Sequence, residues 1–465
     1  MFKKYFGDMG FWRIALKLAF PVAMQNLLTS SFILVDTIMV GQLGDLSLSA
    51  VGMAGQFGWF LNMITFGMCS GAAVFISQYW GAKDTAGIRR TYGIAVVSVC
   101  LISALFFVIG LLFPEGVVRI FNREPDVVEA GAAYLRIACW SYLATGVNMV
   151  FCIVLRSTEN VKLPMYVSLV TTVLNAFMDY GLIFGAFGMP EMGIRGAALA
   201  TILSQAVSAV WVVRFLTGKK THLRIRVPYL RISAKVYLPC VALGLSPFIM
   251  QFTESVLYVC FNSSLLRYGG NLAVGAMTIL SSVMQFSLLP LQGLTQGAQP
   301  IVSFNYGAGN KERVRACFRM LIVACTVYSA ALWALAMLAP QLFAAIFTTD
   351  PALRDMTVHA LRIYMGATGL FGIQMGCQQT FVAMGNAKTS VFLALLRKVF
   401  LLIPLIFILP CFLPNKVDAV FLAEPISDFI AVCVTGTMFY RSFTRYLKEG
   451  PKSAQDITES SATRP

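Results

Sequence analysis

The hydrophobic positions of the chain fall into twelve long runs separated by short polar connections. The runs lie near 14–40, 47–76, 92–113, 134–155, 163–187, 194–216, 238–265, 272–302, 317–345, 359–383, 391–413 and 418–440. A helix needs roughly 20 apolar residues to cross hydrocarbon, and it satisfies its own backbone there. The pattern therefore predicts an all-α integral membrane protein with twelve transmembrane helices.

The pattern also repeats. Asn160-Val161-Lys162 reappears as Asn386-Ala387-Lys388, an offset of 226 residues. The same offset pairs Gly71-Ala72 with Gly297-Ala298, Gly81-Ala82 with Gly307-Ala308, and Leu135-Arg136-Ile137 with Leu361-Arg362-Ile363. Phe121 and Pro125 pair with Phe347 and Pro351. An ordered series across six spans predicts two parallel six-helix repeats related by an axis along the membrane normal. The expected divisions are an N-lobe at 1–216, a basic cytoplasmic linker at 217–235, a C-lobe at 236–445 and a disordered cytoplasmic tail at 446–465.

Composition agrees with a membrane protein. The 465 residues are 58% hydrophobic and 12% charged, against about 25% charged in soluble domains. The net charge of +15 does not point to nucleic acid, because the cations sit in short clusters between the apolar runs. Lys3, Lys4, Arg13 and Lys17 precede the first span, and Lys83, Arg89 and Arg90 follow the second. Arg156 and Lys162 follow the fourth, Lys219 and Lys220 the sixth, and Arg441, Arg445 and Lys448 the twelfth. The opposite connections hold Asp45, Glu115, Glu124, Asp126, Glu191, Asp350 and Asp418. Cations mark the cytoplasmic side, so both termini of this multi-pass protein are expected there. The eleven Cys lie in or beside apolar runs without a Cys-x-x-Cys pair and read as small core residues. No cofactor is expected, and no metal other than a Na⁺ site.

Charges inside spans carry the chemistry, because each costs about 2.5–3.5 kcal/mol at the centre of a spanning helix. Asp36, Asp179 and Glu254 stand there. Ser168, Thr172, Asn175 and Asp179 recur at steps of four, three and four, one face of a helix. Glu254 lies beside Gln251, Ser255 and Tyr258, and the next span adds Gln285, Gln292, Gln296 and Gln299. If Asp36 and Asp179 face each other, one takes up a proton or a cation enters between them. Asn175 supplies a further oxygen ligand, and hard oxygen ligands suit Na⁺. The residues do not choose between H⁺ and Na⁺. Arg397 with Glu424 and Asp428 forms a candidate ion pair, structural or lumen-lining.

Several motifs resemble the multidrug and toxic compound extrusion (MATE) family. Val35-Asp36-Thr37-Ile38-Met39-Val40-Gly41 with Leu43-Gly44 resembles its first span. Asn175-x-x-x-Asp179 and Gly196-Ala197-Ala198-Leu199-Ala200-Thr201 resemble its fifth and sixth. Gly297-Ala298-Gln299-Pro300, Asn305-Tyr306-Gly307 and Ala383-Met384-Gly385-Asn386 resemble its eighth and tenth. The resemblance is to the bacterial drug-efflux branch, and it implies a bacterial plasma membrane, two lobes forming a V-shaped central cleft, and export of organic cations in exchange for H⁺ or Na⁺. It implies an N-lobe cation site at Asp36, Asn175, Asp179 and Thr201. In the C-lobe it implies an acid at Glu254, which with the neighbouring polar residues Gln251, Tyr258 and Gln285 is the expected proton or substrate site, although the tenth span, with Gln374 and Gln378, lacks the acid that some members pair with it.

The expected protein is thus not an enzyme but an antiporter of amphipathic organic cations, a monomer in the lipid bilayer. The alternative is a flippase for a lipid-linked anionic substrate, which Arg397 and Lys398 keep open. No nucleophile–base pair, phosphate loop or channel filter is visible.

Overall fold

The computed structural model describes residues 9–158, 160–217, 234–348 and 350–449, and every regular element among them is helical. The first half contains α1 Met9–Gly41, α2 Asp45–Gly81, α3 Thr85–Leu112 and α4 Pro114–Phe121. It continues with α5 Pro125–Ala138, α6 Ser141–Ser157, α7 Lys162–Phe184 and α8 Ile194–Thr217. α9, Ala234–Gly307, breaks at Gly270, whose φ of 63° and ψ of −162° suit only glycine. Then come α10 Lys311–Leu338, α11 Pro340–Phe347, α12 Pro351–Tyr364 and α13 Thr368–Ala383. α14 Ala387–Leu395 runs through a π-helical segment, Leu396–Leu402, into α15 Ile403–Phe412. α16 covers Lys416–Glu449.

Among the described residues eight helices are long and apolar enough to span a membrane, nine if α5 and α6, bent by 55°, form one span. One of the eight, Val236–Gly307, is long enough for two crossings, one on each side of Gly270. The runs expected at 134–155 and 359–383 are each shared by two helices, α5 with α6 and α12 with α13. α16 is not among the eight; Asp418, Glu424 and Asp428 lower its hydropathy. Most of the expected linker, 218–233, lies outside the described residues, as does the tail from 450. The tail was expected to be disordered from 446, yet α16 continues to Glu449. The reason is packing: the Tyr446 ring lies 5.2 Å from Tyr306 and 6.0 Å from Phe443.

Outward faces are apolar. On α3, Leu101, Leu105, Val108 and Leu112 are all exposed at steps of four, three and four, a stripe suited to lipid chains. The opposite face buries Tyr92, Val99, Ser103 and Gly110.

The repeat holds residue by residue. α3, α4 and α5 begin at 85, 114 and 125, and α10, α11 and α12 begin at 311, 340 and 351, each pair 226 apart. The local chemistry matches. Asp84 caps α3 by accepting from the Ala86 and Gly87 amides, and Asn310 caps α10 by accepting from Arg313 N. Proline opens α4, α5, α11 and α12, where its missing N–H costs nothing. A buried interhelical bond recurs too. Ser77 Oγ donates to Ser157 O (3.0 Å), and Ser303 Oγ to Ala383 O (2.9 Å).

The described residues form two compact units, one within 24–244, the other from 9–23 and 245–449. The first unit has a core of Leu61, Val118, Leu135 and Ile183, with Ala197 and Ala198 against them. It includes the start of α9, where Gly71 approaches the backbone of Cys240. The second unit has a core of Phe261, Leu265, Leu280, Leu361, Leu402 and Phe421. It includes the start of α1, with Ala23 against Gly293.

Within the second unit α10 and α13 pack closely because Gly372 lies against Cys325. A Cβ at Gly372 would meet the Cys325 carbonyl carbon at 2.5 Å and Ser329 Oγ at 2.8 Å. Gly372→Ala is therefore expected to destabilise the unit by about 1–3 kcal/mol, the usual cost of overpacking. Thermal unfolding of the purified variant checks this, and an unchanged midpoint would mean that the two helices separate without cost.

Candidate functional site

The first unit gathers its polar side chains from α1, α5 and α7. Asp36 lies late in α1, and the stripe of α7 points inward, with Asn175 and Asp179 fully buried. Higher on the stripe, Thr172 Oγ1 donates to Leu28 O at 3.4 Å, which fixes α7 against α1. Asp36 and Asp179 lie close enough for each charge to act on the other, and Tyr134 of α5 is within electrostatic reach of both. Five buried atoms here have no protein partner: Asp36 Oδ1, Asn175 Oδ1 and Nδ2, and both carboxylate oxygens of Asp179. Buried polar atoms are normally paired, so such a group needs an explanation. Two carboxylates and an amide oxygen form a hard donor set that a proton or a small hard cation would satisfy. Thr201 is half-buried in α8, and nothing among the described residues ties it to this group.

The second unit is arranged differently. Lys398 Nζ lies 2.7 Å from Glu254 Oε1. Arg397 Nε lies 2.5 Å from Asp428 Oδ1, and its Nη2 lies 3.1 Å from Glu424 Oε1. The Phe371 ring lies 4.4 Å from the guanidinium carbon, a cation–π contact. Ser427 Oγ donates to Arg397 O at 2.8 Å and holds α16 to the π segment. Arg397, Lys398, Glu424 and Asp428 are all buried, whereas the Glu254 side chain is 59% exposed. Gln251 and Tyr258 are exposed on the same face of α9 as Glu254, and Gln285 is exposed farther along it.

Two features escaped the sequence reading. Tyr134 stands in the apolar run near 134–155 with no motif to mark it. Lys398 enters the sequence reading only beside Arg397, as support for the flippase alternative, yet it is the partner of Glu254. The available signal was that two adjacent cations inside an apolar run both need partners.

A family model described as MatE matches residues 21–181 and 247–408, two copies whose starts are 226 residues apart. The probable multidrug resistance protein NorM of Thermotoga maritima is 29% identical over 371 residues, 78% of this chain and 77% of that protein. The multidrug export protein MepA of Staphylococcus haemolyticus is 22% identical over 438 residues, 92% of this chain and 94% of that protein. A crystal structure of a MATE in the bent conformation is 20% identical with a TM-score of 0.87, over 94% of this chain and 96% of that one. This last likeness is one of fold.

Proposed function

Since the chain belongs to the MatE family of multidrug efflux transporters, we propose that it exports amphipathic organic cations in exchange for H⁺ or Na⁺ by alternating access. The observation that carries this reading is the group Asp36, Asn175 and Asp179, with five buried polar atoms lacking protein partners. A proton or Na⁺ bound there stabilises one state of the bundle. A cationic substrate that favours the other state is then exchanged for it, because each ligand shifts the same equilibrium. Thr201 stays in the proposed N-lobe site on the family resemblance alone. The exposed residues Glu254, Gln251, Tyr258 and Gln285 form the proposed C-lobe surface for proton or substrate. An exposed carboxylate and an aromatic ring on one helix face suit an organic cation. The proposed form is a monomer with both termini in the cytoplasm.

The charge pairing favours this reading over a flippase for an anionic lipid. Arg397 and Lys398 both meet carboxylates, so neither offers an unpaired positive charge to a phosphate. The test is uptake of a fluorescent organic cation into everted vesicles, with a pH gradient and a Na⁺ gradient imposed separately. One gradient is expected to drive uptake into the vesicles. Equal transport with neither gradient would sink the exchange reading.

A further inference from the structure

The bend between α12 and α13 leaves an apolar cavity in the second unit. Its volume is about 320 Å³, and its lining includes Gly366 and Ala367 of the bend, Leu370 of α13, and Pro425, Phe429 and Ile430 of α16. Trp333 Nε1 donates to Gly366 O at 3.0 Å, which fixes the bend. A Cβ at Gly366 would stand 3.7 Å from the Pro425 Cβ, so the missing side chain leaves room on this side of α16. No lining side chain is polar, so water finds no partner there, and an empty void would forfeit dispersion contacts. The filler that a bilayer supplies is an acyl chain.

The first repeat places an indole where the second has this opening. At the 226 offset Gly366 corresponds to Trp140, and Trp333 to Phe107. The backbones match, since Trp140 N donates to Ile137 O and Gly366 N to Ile363 O, both at 3.1 Å. The Trp140 ring packs on Phe107 with 4.9 Å between centroids.

From the cavity an exposed stripe runs along α16. Ile426, Ile430, Cys433, Thr437, Arg441 and Lys448 share one helix face, and all but the half-buried Ile426 are exposed. Thr437 Oγ1 donates to Cys433 O at 2.8 Å, so its hydroxyl is satisfied within the helix and the stretch suits hydrocarbon. The stripe then turns cationic. Arg441, Arg445 and Lys448 follow the exposed Tyr440, and no acid occurs between Asp428 and Glu449. Arg441 stands eleven residues beyond Ile430, about 16 Å along the axis. Half of the hydrocarbon core is about 15 Å thick. One acyl chain therefore reaches from these cations to the cavity. A tyrosine beside basic residues marks the headgroup level, and the basic residues attract anionic lipid.

We propose that the second unit binds one anionic phospholipid along α16, with its headgroup on Arg441 and Lys448 and the end of one acyl chain in the cavity at Gly366. The lipid belongs to the leaflet at the C-terminal end of α16, the cytoplasmic one in the proposed orientation. It fills the bend between α12 and α13 and braces it against Pro425. This site is independent of the exchange reading and can be tested without transport.

The test is photolabelling in phosphatidylcholine vesicles by two trace probes, phosphatidylglycerol and phosphatidylcholine, each with a diazirine at the end of one acyl chain. Labelling of Leu370, Phe429 and Ile430 is read relative to the exposed α3 stripe at Leu101 and Leu105 in the same sample. The anionic probe is expected to give a ratio about tenfold above that of the zwitterionic one, and Arg441→Gln/Lys448→Gln should abolish the difference. Gly366→Trp copies the first repeat and should bring cavity labelling down to the level of the α3 stripe. Equal ratios for the two probes would mean ordinary lipid contact and overturn the proposal. So would an undiminished anionic preference in the double variant, which leaves the bend intact should Gly366→Trp fail to fold.

Discussion

Asp36→Asn is expected to reduce drug export to the level of empty vesicles while leaving protein abundance unchanged. Asn keeps the shape and removes the charge that a coupling ion would neutralise. Abundance should not fall, because a charged residue in a spanning helix costs about 2.5–3.5 kcal/mol on insertion scales and its loss relieves that cost. Asp36 Oδ1 has no protein partner, so the substitution breaks no hydrogen bond from that atom. Efflux from cells, or uptake into everted vesicles, normalised to protein in the membrane, checks the outcome. Wild-type export from Asp36→Asn would remove this carboxylate from the mechanism.

Arg397→Ala is expected to have the largest effect on stability. The guanidinium pairs with both Asp428 and Glu424 and lies against Phe371. Its removal leaves two buried carboxylates facing each other without it. Breaking a buried ion pair by deleting one partner costs about 3–5 kcal/mol. The variant should accumulate poorly and unfold at a lower temperature in detergent. Arg397→Lys should rescue only part of the loss, because an ammonium cannot reproduce the planar fork that reaches two acids at once. Full stability of Arg397→Ala, read by thermal unfolding, would show that the carboxylates do not depend on the guanidinium.

Much of this was legible in the sequence for physical reasons. A membrane leaves the chain little choice but helices, so apolar run length locates most spans. The 226 offset located the repeat through pairs such as Gly81-Ala82 with Gly307-Ala308 and Pro125 with Pro351, which stand at helix ends where local chemistry selects the residue. Asp179 and Asn175 were visible because one turn of helix separates them. Bends were less legible. Nothing in the run 134–155 signals that α5 ends at Ala138 and α6 turns away. Partners distant in sequence were least legible. Lys398 and Glu254 are 144 residues apart, and only the packing of α9 against the π segment joins them. The helical end of α16 depends likewise on Tyr306, far upstream.

The central claim is that a small cation held by Asp36 and Asp179 leaves as substrate binds. Its most direct measurement is ion release from purified protein on addition of an organic cation, in weakly buffered solution with a pH indicator and with radioactive Na⁺. The account predicts release of protons or of Na⁺ from the wild type, with one fewer cation per chain from Asp179→Asn. Equal release from the two proteins, at matched substrate occupancy, would contradict it.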